Sequence, residues 1–246
     1  MRKLYLHVGF AKCGSTSLQA ALQTAPNIMF PKSGNHGGEH LAFALTIRGV
    51  DEWTRQYFDE KWAEQAMVGL LKEIEESTEP VVISSERLAA MSVTEIQTVA
   101  ELFKDFDTQV IIVRRNIDKY LSSTWRHAVY RHDFGESYED FLKRFHNFAF
   151  AQIDEKFKPY FQVHSLNMED PDYLQVLEAM LGTTLVFPHS NEGVPFEFAA
   201  HLQKLHTLLG STEFKKIFDK ARKAKMLRVW KGEVVTEIEQ MTAPLF

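Results

Sequence analysis

The sequence predicts an α/β protein in which a parallel sheet is flanked on both faces by helices in three layers, followed by a helical C-terminal region. Three observations carry that expectation. The chain opens with a strand, a glycine-bearing turn and a helix, which is how parallel α/β sheets begin. Two later segments, Pro-Val-Val-Ile-Ser at 80–84 and Gln-Val-Ile-Ile-Val at 109–113, are short, β-branched and apolar, as central strands covered on both faces must be. Beyond Pro195 the pattern turns helical almost to the end.

Taken in order, residues 4–8 read as a buried strand and residues 9–14 as a tight turn. Leu18, Ala21 and Leu22 then recur at helical spacing across 16–24. Residues 28–30 read as a short second strand and 33–40 as a Gly/His/Asn loop. Residues 51–77 read as a long amphipathic helical region that buries Trp53, Tyr57, Trp62, Met67, Leu70, Leu71 and Ile74. Between the two apolar strands a helix is expected over 94–106, capped by Thr94. A strand over 160–166 and a helix over 172–181 follow. With no repeat, low-complexity tract or linker, residues 1–246 read as a single domain.

Composition excludes several classes of function. A net charge of -5 weighs against a general nucleic-acid binder, so any anion site must be a local concentration of basic groups. The one cysteine, Cys13, allows no intramolecular disulfide and fits a reducing compartment. The apolar run at the N-terminus is interrupted too soon, by Lys12, to be a signal peptide. No stretch approaches the roughly 20 apolar residues needed to span a bilayer. A soluble, cytoplasmic protein is expected.

The informative segment is Val8-Gly9-Phe10-Ala11-Lys12-Cys13-Gly14-Ser15-Thr16-Ser17-Leu18. A turn that presents backbone N–H groups at a helix N-terminus is an anion site, because those donors and the helix dipole both favour negative charge. Lys12 adds a full positive charge, and Ser15, Thr16 and Ser17 add hydroxyl donors that also suit a helix cap. The Walker A pattern places its lysine after the second glycine; here Lys12 stands two residues before Gly14. A second segment, Val110-Ile111-Ile112-Val113-Arg114-Arg115-Asn116, ends a strand and runs on into a helix that carries Ser122 and Ser123.

These two motifs resemble those of sulfotransferases that use 3′-phosphoadenosine 5′-phosphosulfate (PAPS). Lys12-Cys13-Gly14-Ser15-Thr16 looks like the family's 5′-phosphosulfate loop, with Ala11 where the family usually has proline and Ser15 where it often has threonine. Arg115, with Ser123 eight residues later, looks like its 3′-phosphate signature, with Ile117 in place of the usual proline. The resemblance extends to the strand–helix order of the first half of the chain. It implies a P-loop-NTPase-like fold and PAPS as co-substrate, held by Lys12, Cys13, Gly14, Ser15, Thr16, Ser17, Arg115 and Ser123. In Trp230-Lys231-Gly232 it adds Lys231 as a basic residue closing over the 3′-phosphate. A planar guanidinium matches a phosphate monoester in two-pronged fashion, whereas Arg114 is better read as an ion-pair partner.

Sulfuryl transfer to an acceptor hydroxyl or amine needs charge stabilisation, which Lys12 is placed to give, and a base for the acceptor's proton. Three candidates for that base stay open. Glu39, with His36 or His40, lies where several carbohydrate-type members carry a catalytic glutamate. Glu86 follows the strand at 80–84, and His127 stands one helical turn beyond Ser123. The aromatic cluster Trp125, Tyr130, His132, Phe134 and Tyr138 could line an acceptor site or stack on adenine. The acceptor itself is a small molecule, a carbohydrate or a lipid, with no nucleic-acid partner and no membrane span. No metal is expected, since the ten histidines are scattered without metal-ligand spacing. The rival readings are a P-loop kinase or NTPase, disfavoured by the missing Gly-Lys-[Ser/Thr], and a non-catalytic nucleotide-binding protein on the same scaffold.

Overall fold

Strand β1 (Arg2–Val8) pairs in parallel with β2 (Val81–Ser85) on one side and β3 (Phe106–Arg114) on the other. A fourth strand, β4 (Gln162–Asn167), extends the sheet beyond β3, giving the order β2-β1-β3-β4. The computed structural model describes residues 1–52, 54–132, 134–145, 150–187 and 196–223. Strands β1, β2 and β3 bury both of their faces: Leu4, Leu6, Val81, Ile83, Val110 and Ile112 alternate with Tyr5, Val82, Ile111 and Val113, and all are at most 2% exposed. Their near-continuous apolar sequence follows from that.

On the Tyr5–Val82–Ile111 face lie α1 (Ser15–Leu22) and α8 (Tyr173–Leu181), through Leu18, Ala21, Leu22, Leu177 and Leu181. Elsewhere in this region stand α2 (Leu41–Arg48), α3 (Glu60–Glu76) and α4 (Val93–Leu102), with Phe43 of α2 stacked on Phe103 just after α4. The strand order fixes where a ligand enters. After β1 the chain moves to β2, and after β3 it moves the opposite way to β4, so β1 and β3 part company at their carboxyl ends. In open α/β sheets that crevice is where ligands bind.

The described residues fall into two compact units, one built from residues 1–120 and 150–187, the other from 121–145 and 196–223. The first holds the sheet, the helices above and α7 (Ala151–Phe157). The second holds most of α5 (Ile117–His132), α6 (Tyr138–Arg144) and α9 (Phe196–Lys223), which kinks at Gly210. Within the second unit Trp125 is buried against Tyr138 and Phe196 and donates its indole N–H to the Glu136 carbonyl at 3.0 Å. It is a packing residue with a satisfied polar end.

Several elements differ from expectation. α4 starts at Val93, because Ser92 and Glu95 form a reciprocal capping box; Thr94 is inside the helix, not its cap. The helix ends at Leu102, and by Phe106 the chain is already strand. Residues 28–30 contribute only one parallel bridge, Met29 to Val81, rather than a strand. The helical region expected over 51–77 is a short 3-10 turn, Thr54–Gln56, followed by α3 with Asp59 as its cap. Tyr57 lies in that break and is 66% exposed instead of buried, while Trp53 lies outside the described residues. Helices α2, α6 and α7 were not anticipated. The expected C-terminal helix runs to Lys223, the end of the described residues.

Candidate functional site

The loop after β1 is shaped by close backbone approaches. A Cβ at Gly9 would stand 2.9 Å from Ser15 Oγ and 3.0 Å from His7 Cε1, so only a bare backbone fits there. The Cys13 N–H donates to the Phe10 carbonyl at 3.2 Å and closes the turn, and Ser15 Oγ donates to the same carbonyl at 3.1 Å from inside. Lys12 adopts a left-handed backbone with φ 68°, a conformation that a lysine holds only where its surroundings impose it. α1 begins at once, with Gly14 as N-cap, no side-chain cap and no acidic residue in its first turn. Its positive end is thus left to whatever anion enters. Thr16 is exposed and Ser17 half-buried at that end, whereas Ser15 is buried beneath it.

Cys13 is buried, and burial pushes its thiol up to about 12 although the Arg115 charge works the other way. A neutral thiol of that kind is neither a nucleophile nor an anion ligand. Its amide already serves the turn.

At the carboxyl end of β3 the two arginines diverge. Arg114 turns to Asp154 through Nη2, the same nitrogen reaching Ser165 Oγ at 3.0 Å, and Ser165 bonds Asp154 at 2.7 Å. That is the ion pair expected of it. Arg115 reaches back instead: its Nη1 donates to the Lys12 carbonyl at 3.0 Å, clamping the loop after β1 to β3. Its Nη2 stands 3.9 Å from a carboxylate that sequence reasoning missed, Glu169. Glu169 also accepts the Asn116 N–H at 2.7 Å and pairs with Lys119 at 2.7 Å, contacts led by Lys119 that hold its carboxyl below the usual range. Asn116 Oδ1 in turn accepts the Asp118 N–H at 2.9 Å and so caps α5 just ahead of Ile117. The segment after β4 forms a third wall, with the Met168 N–H on the Arg114 carbonyl at 2.8 Å and Met168 Cε 3.2 Å from where a Gly14 Cβ would be.

The carboxyl end of β2 carries the acids. His36 and Glu39 exchange backbone hydrogen bonds across Gly37 and Gly38, both with positive φ, as in a type I′ hairpin. That turn delivers Glu39 to Ser85, whose hydroxyl donates to its carboxylate, with Arg87 Nε 3.9 Å away. Glu86 is half-buried beside them. Burial raises its carboxyl above the usual range and the Glu39 charge adds to that, against a hydrogen bond to Ser15 and the charges of Lys12 and Arg87. Lys12, Ser15, Glu39 and Glu86 therefore meet at one place.

The neighbouring histidines do other work. His40 Nδ1 accepts the Ser84 N–H at 3.0 Å and its Nε2–H donates to the Pro31 carbonyl at 2.9 Å. Ser84 Oγ also accepts from Gln19 Nε2 at 3.0 Å and bonds His7 Nδ1 at 2.7 Å. Burial lowers both His7 and His40 to about 4, so they are neutral struts under the loop. His36 packs edge-on against Phe58.

Ser123 and His127 lie further along α5 in the second unit, both half-buried. Lys231 lies outside the described residues. Among the described residues no group of three or more His, Cys, Asp or Glu is arranged to hold a metal ion, and no helix is long and apolar enough to cross a membrane.

No family model matches the chain, and no curated protein matches it. Solved structures do. A sulfotransferase from Alicyclobacillus acidocaldarius superposes with a TM-score of 0.53 at 19% identity, over 83% of this chain and 95% of that one. A mouse sulfotransferase, SULT7A1, complexed with PAP gives a TM-score of 0.43 at 13% identity, over 85% of this chain and 67% of that one, too distant to carry an argument. At 19% identity the first likeness concerns the fold alone. This chain has the fold of a sulfotransferase.

Proposed function

We propose that the protein is a PAPS-dependent sulfotransferase, moving the sulfuryl group from PAPS to an acceptor hydroxyl and releasing 3′-phosphoadenosine 5′-phosphate. The observation that carries this reading is the hydrogen bond from Arg115 to the Lys12 carbonyl. It joins the two phosphate-type motifs, about a hundred residues apart, in the β1/β3 crevice where α/β sheets bind nucleotides. The residues suit such a ligand: α1 has no side-chain cap and no acidic residue in its own first turn, and Lys12 stands in the loop ahead of it.

PAPS when bound supplies an activated sulfuryl group on a good leaving phosphate. The chain's own groups then divide the work. The α1 amides and Lys12 hold the 5′ end and offset the charge that builds on the departing oxygen. Glu86 takes the acceptor's proton, its raised carboxyl bringing it nearer the operating pH than an ordinary glutamate. Glu39, committed to Ser85 and Arg87, fixes the floor beside it. The acceptor belongs to the carbohydrates, lipid head groups or small alcohols, and the cytoplasm is the expected compartment.

Calorimetry with 3′-phosphoadenosine 5′-phosphate, 5′-AMP, ADP and ATP tests the reading. The first is expected to bind well ahead of the others, with about a tenfold or greater loss in Lys12→Ala and in Arg115→Ala. A preference for ATP, or no binding at all, would sink it.

A further inference from the structure

Glu169 sits where an incoming anion would have to go. Its carboxylate takes the Asn116 N–H at 2.7 Å at the head of α5, pairs with Lys119 at 2.7 Å and stands 3.9 Å from Arg115 Nη2. A guanidinium, an ammonium and a backbone amide at a helix N-terminus together make the donor set of a phosphate site. Here one side chain of the protein engages all three, while its own side chain keeps 24% exposure to solvent. Its backbone is tethered only lightly, the Glu169 N–H donating to Asn167 Oδ1 at 3.2 Å.

We propose that Glu169 is a resident anion which the 3′-phosphate of the nucleotide must displace from Arg115, Lys119 and the Asn116 amide, so that this carboxylate sets the selectivity for 3′-phosphorylated nucleotides. The proposal rests on the nucleotide reading given above. Displacement exchanges one anion for another on the same donors, so the site avoids leaving the largely buried Arg115 without an anion when empty, and binding is weaker than the donors alone would give. Glu169 directly follows Met168, whose Cε lies 3.2 Å from where a Gly14 Cβ would be, so the carboxylate that moves away belongs to the wall of the loop after β1.

Glu169→Gln removes the charge and leaves an amide oxygen for the Asn116 N–H. Calorimetry on wild type and this variant should show 3′-phosphoadenosine 5′-phosphate binding about tenfold tighter to the variant, with 5′-AMP unchanged. Equal or weaker binding of the 3′-phosphorylated nucleotide overturns the proposal; weaker binding marks Glu169 as a residue that orients Arg115. Should neither protein bind any nucleotide, the sulfotransferase reading falls, and a second arm decides on Glu169 by itself. Sodium sulfate, with sodium chloride at equal ionic strength as control, should protect Glu169→Gln against thermal unfolding more than wild type. Equal protection overturns the proposal.

Discussion

The carboxyl ends of β2 and β3 handle charge in opposite ways. At β3 each arginine faces a carboxylate, Asp154 for Arg114 and, shared with Lys119, Glu169 for Arg115, so opposite charges meet there. At β2 two carboxylates, Glu39 and Glu86, stand close enough that one raises the pKa of the other, and burial is the largest influence on Glu86. The first arrangement stabilises and orients. The second stores an unfavourable charge, which is what the base proposed for Glu86 requires.

The largest effect expected from breaking this contrast is on turnover. Glu86→Gln should lower kcat by about 10²- to 10⁴-fold with nucleotide binding retained. The same variant should unfold at a higher temperature than wild type at pH 7, since it removes a carboxylate whose ionisation burial opposes. That gain should fade as pH falls through the raised pKa, where wild-type Glu86 is protonated too. A variant that keeps full turnover with a PAPS donor would remove Glu86 as the base.

The next effect sharpens the β2 end. His7 and His40 are neutral in the fold with pKa values of about 4, against an ordinary value of 6.5. Their depressed values make the unfolded chain the better proton binder between those limits, so stability is intact above pH 6.5 and falls as pH drops. By pH 5 the loss should be about 2 kcal/mol per histidine, read as a shift of the urea midpoint between pH 7 and pH 5. An unchanged midpoint would mean that the struts under the loop are not held neutral.

The smallest effect lies at β3. Arg114→Ala should cost about 2 kcal/mol of stability by leaving Asp154 nearly buried without its partner, a figure reduced by the partial exposure of the pair. Nucleotide affinity should suffer far less than in Arg115→Ala. Similar losses of affinity in the two variants would erase the distinction drawn between the arginines.

What was legible in the sequence follows from range. β1, the glycine turn, β3 and the divergent fates of Arg114 and Arg115 all leave local signals: apolar runs, glycines, a basic pair at a strand's end. Glu86 was visible for the same reason. Glu169 was not, because its partners Arg115, Asn116 and Lys119 lie some fifty residues upstream and nothing near it in sequence declares them. The Gln19–Ser84–His7–His40 network escaped likewise, since it joins four separate segments through one buried hydroxyl and its backbone. Ser92 is a different case: Ser-Val-Thr-Glu spells a capping box locally, and it is Glu95, three residues after Ser92, that makes Ser92 rather than Thr94 the cap.

The strand order has a consequence for the chain as it is made. Leu6 of β1 pairs with Ile83 of β2 and with Val110 of β3, so the first strand synthesised waits for partners that arrive much later. Until Arg115 has left the ribosome, nothing from β3 can clamp the Lys12 carbonyl, and one edge of β1 stays open to unwanted pairing. A nascent chain halted before Phe106 therefore has the β1–α1 loop without the clamp that Arg115 puts on it.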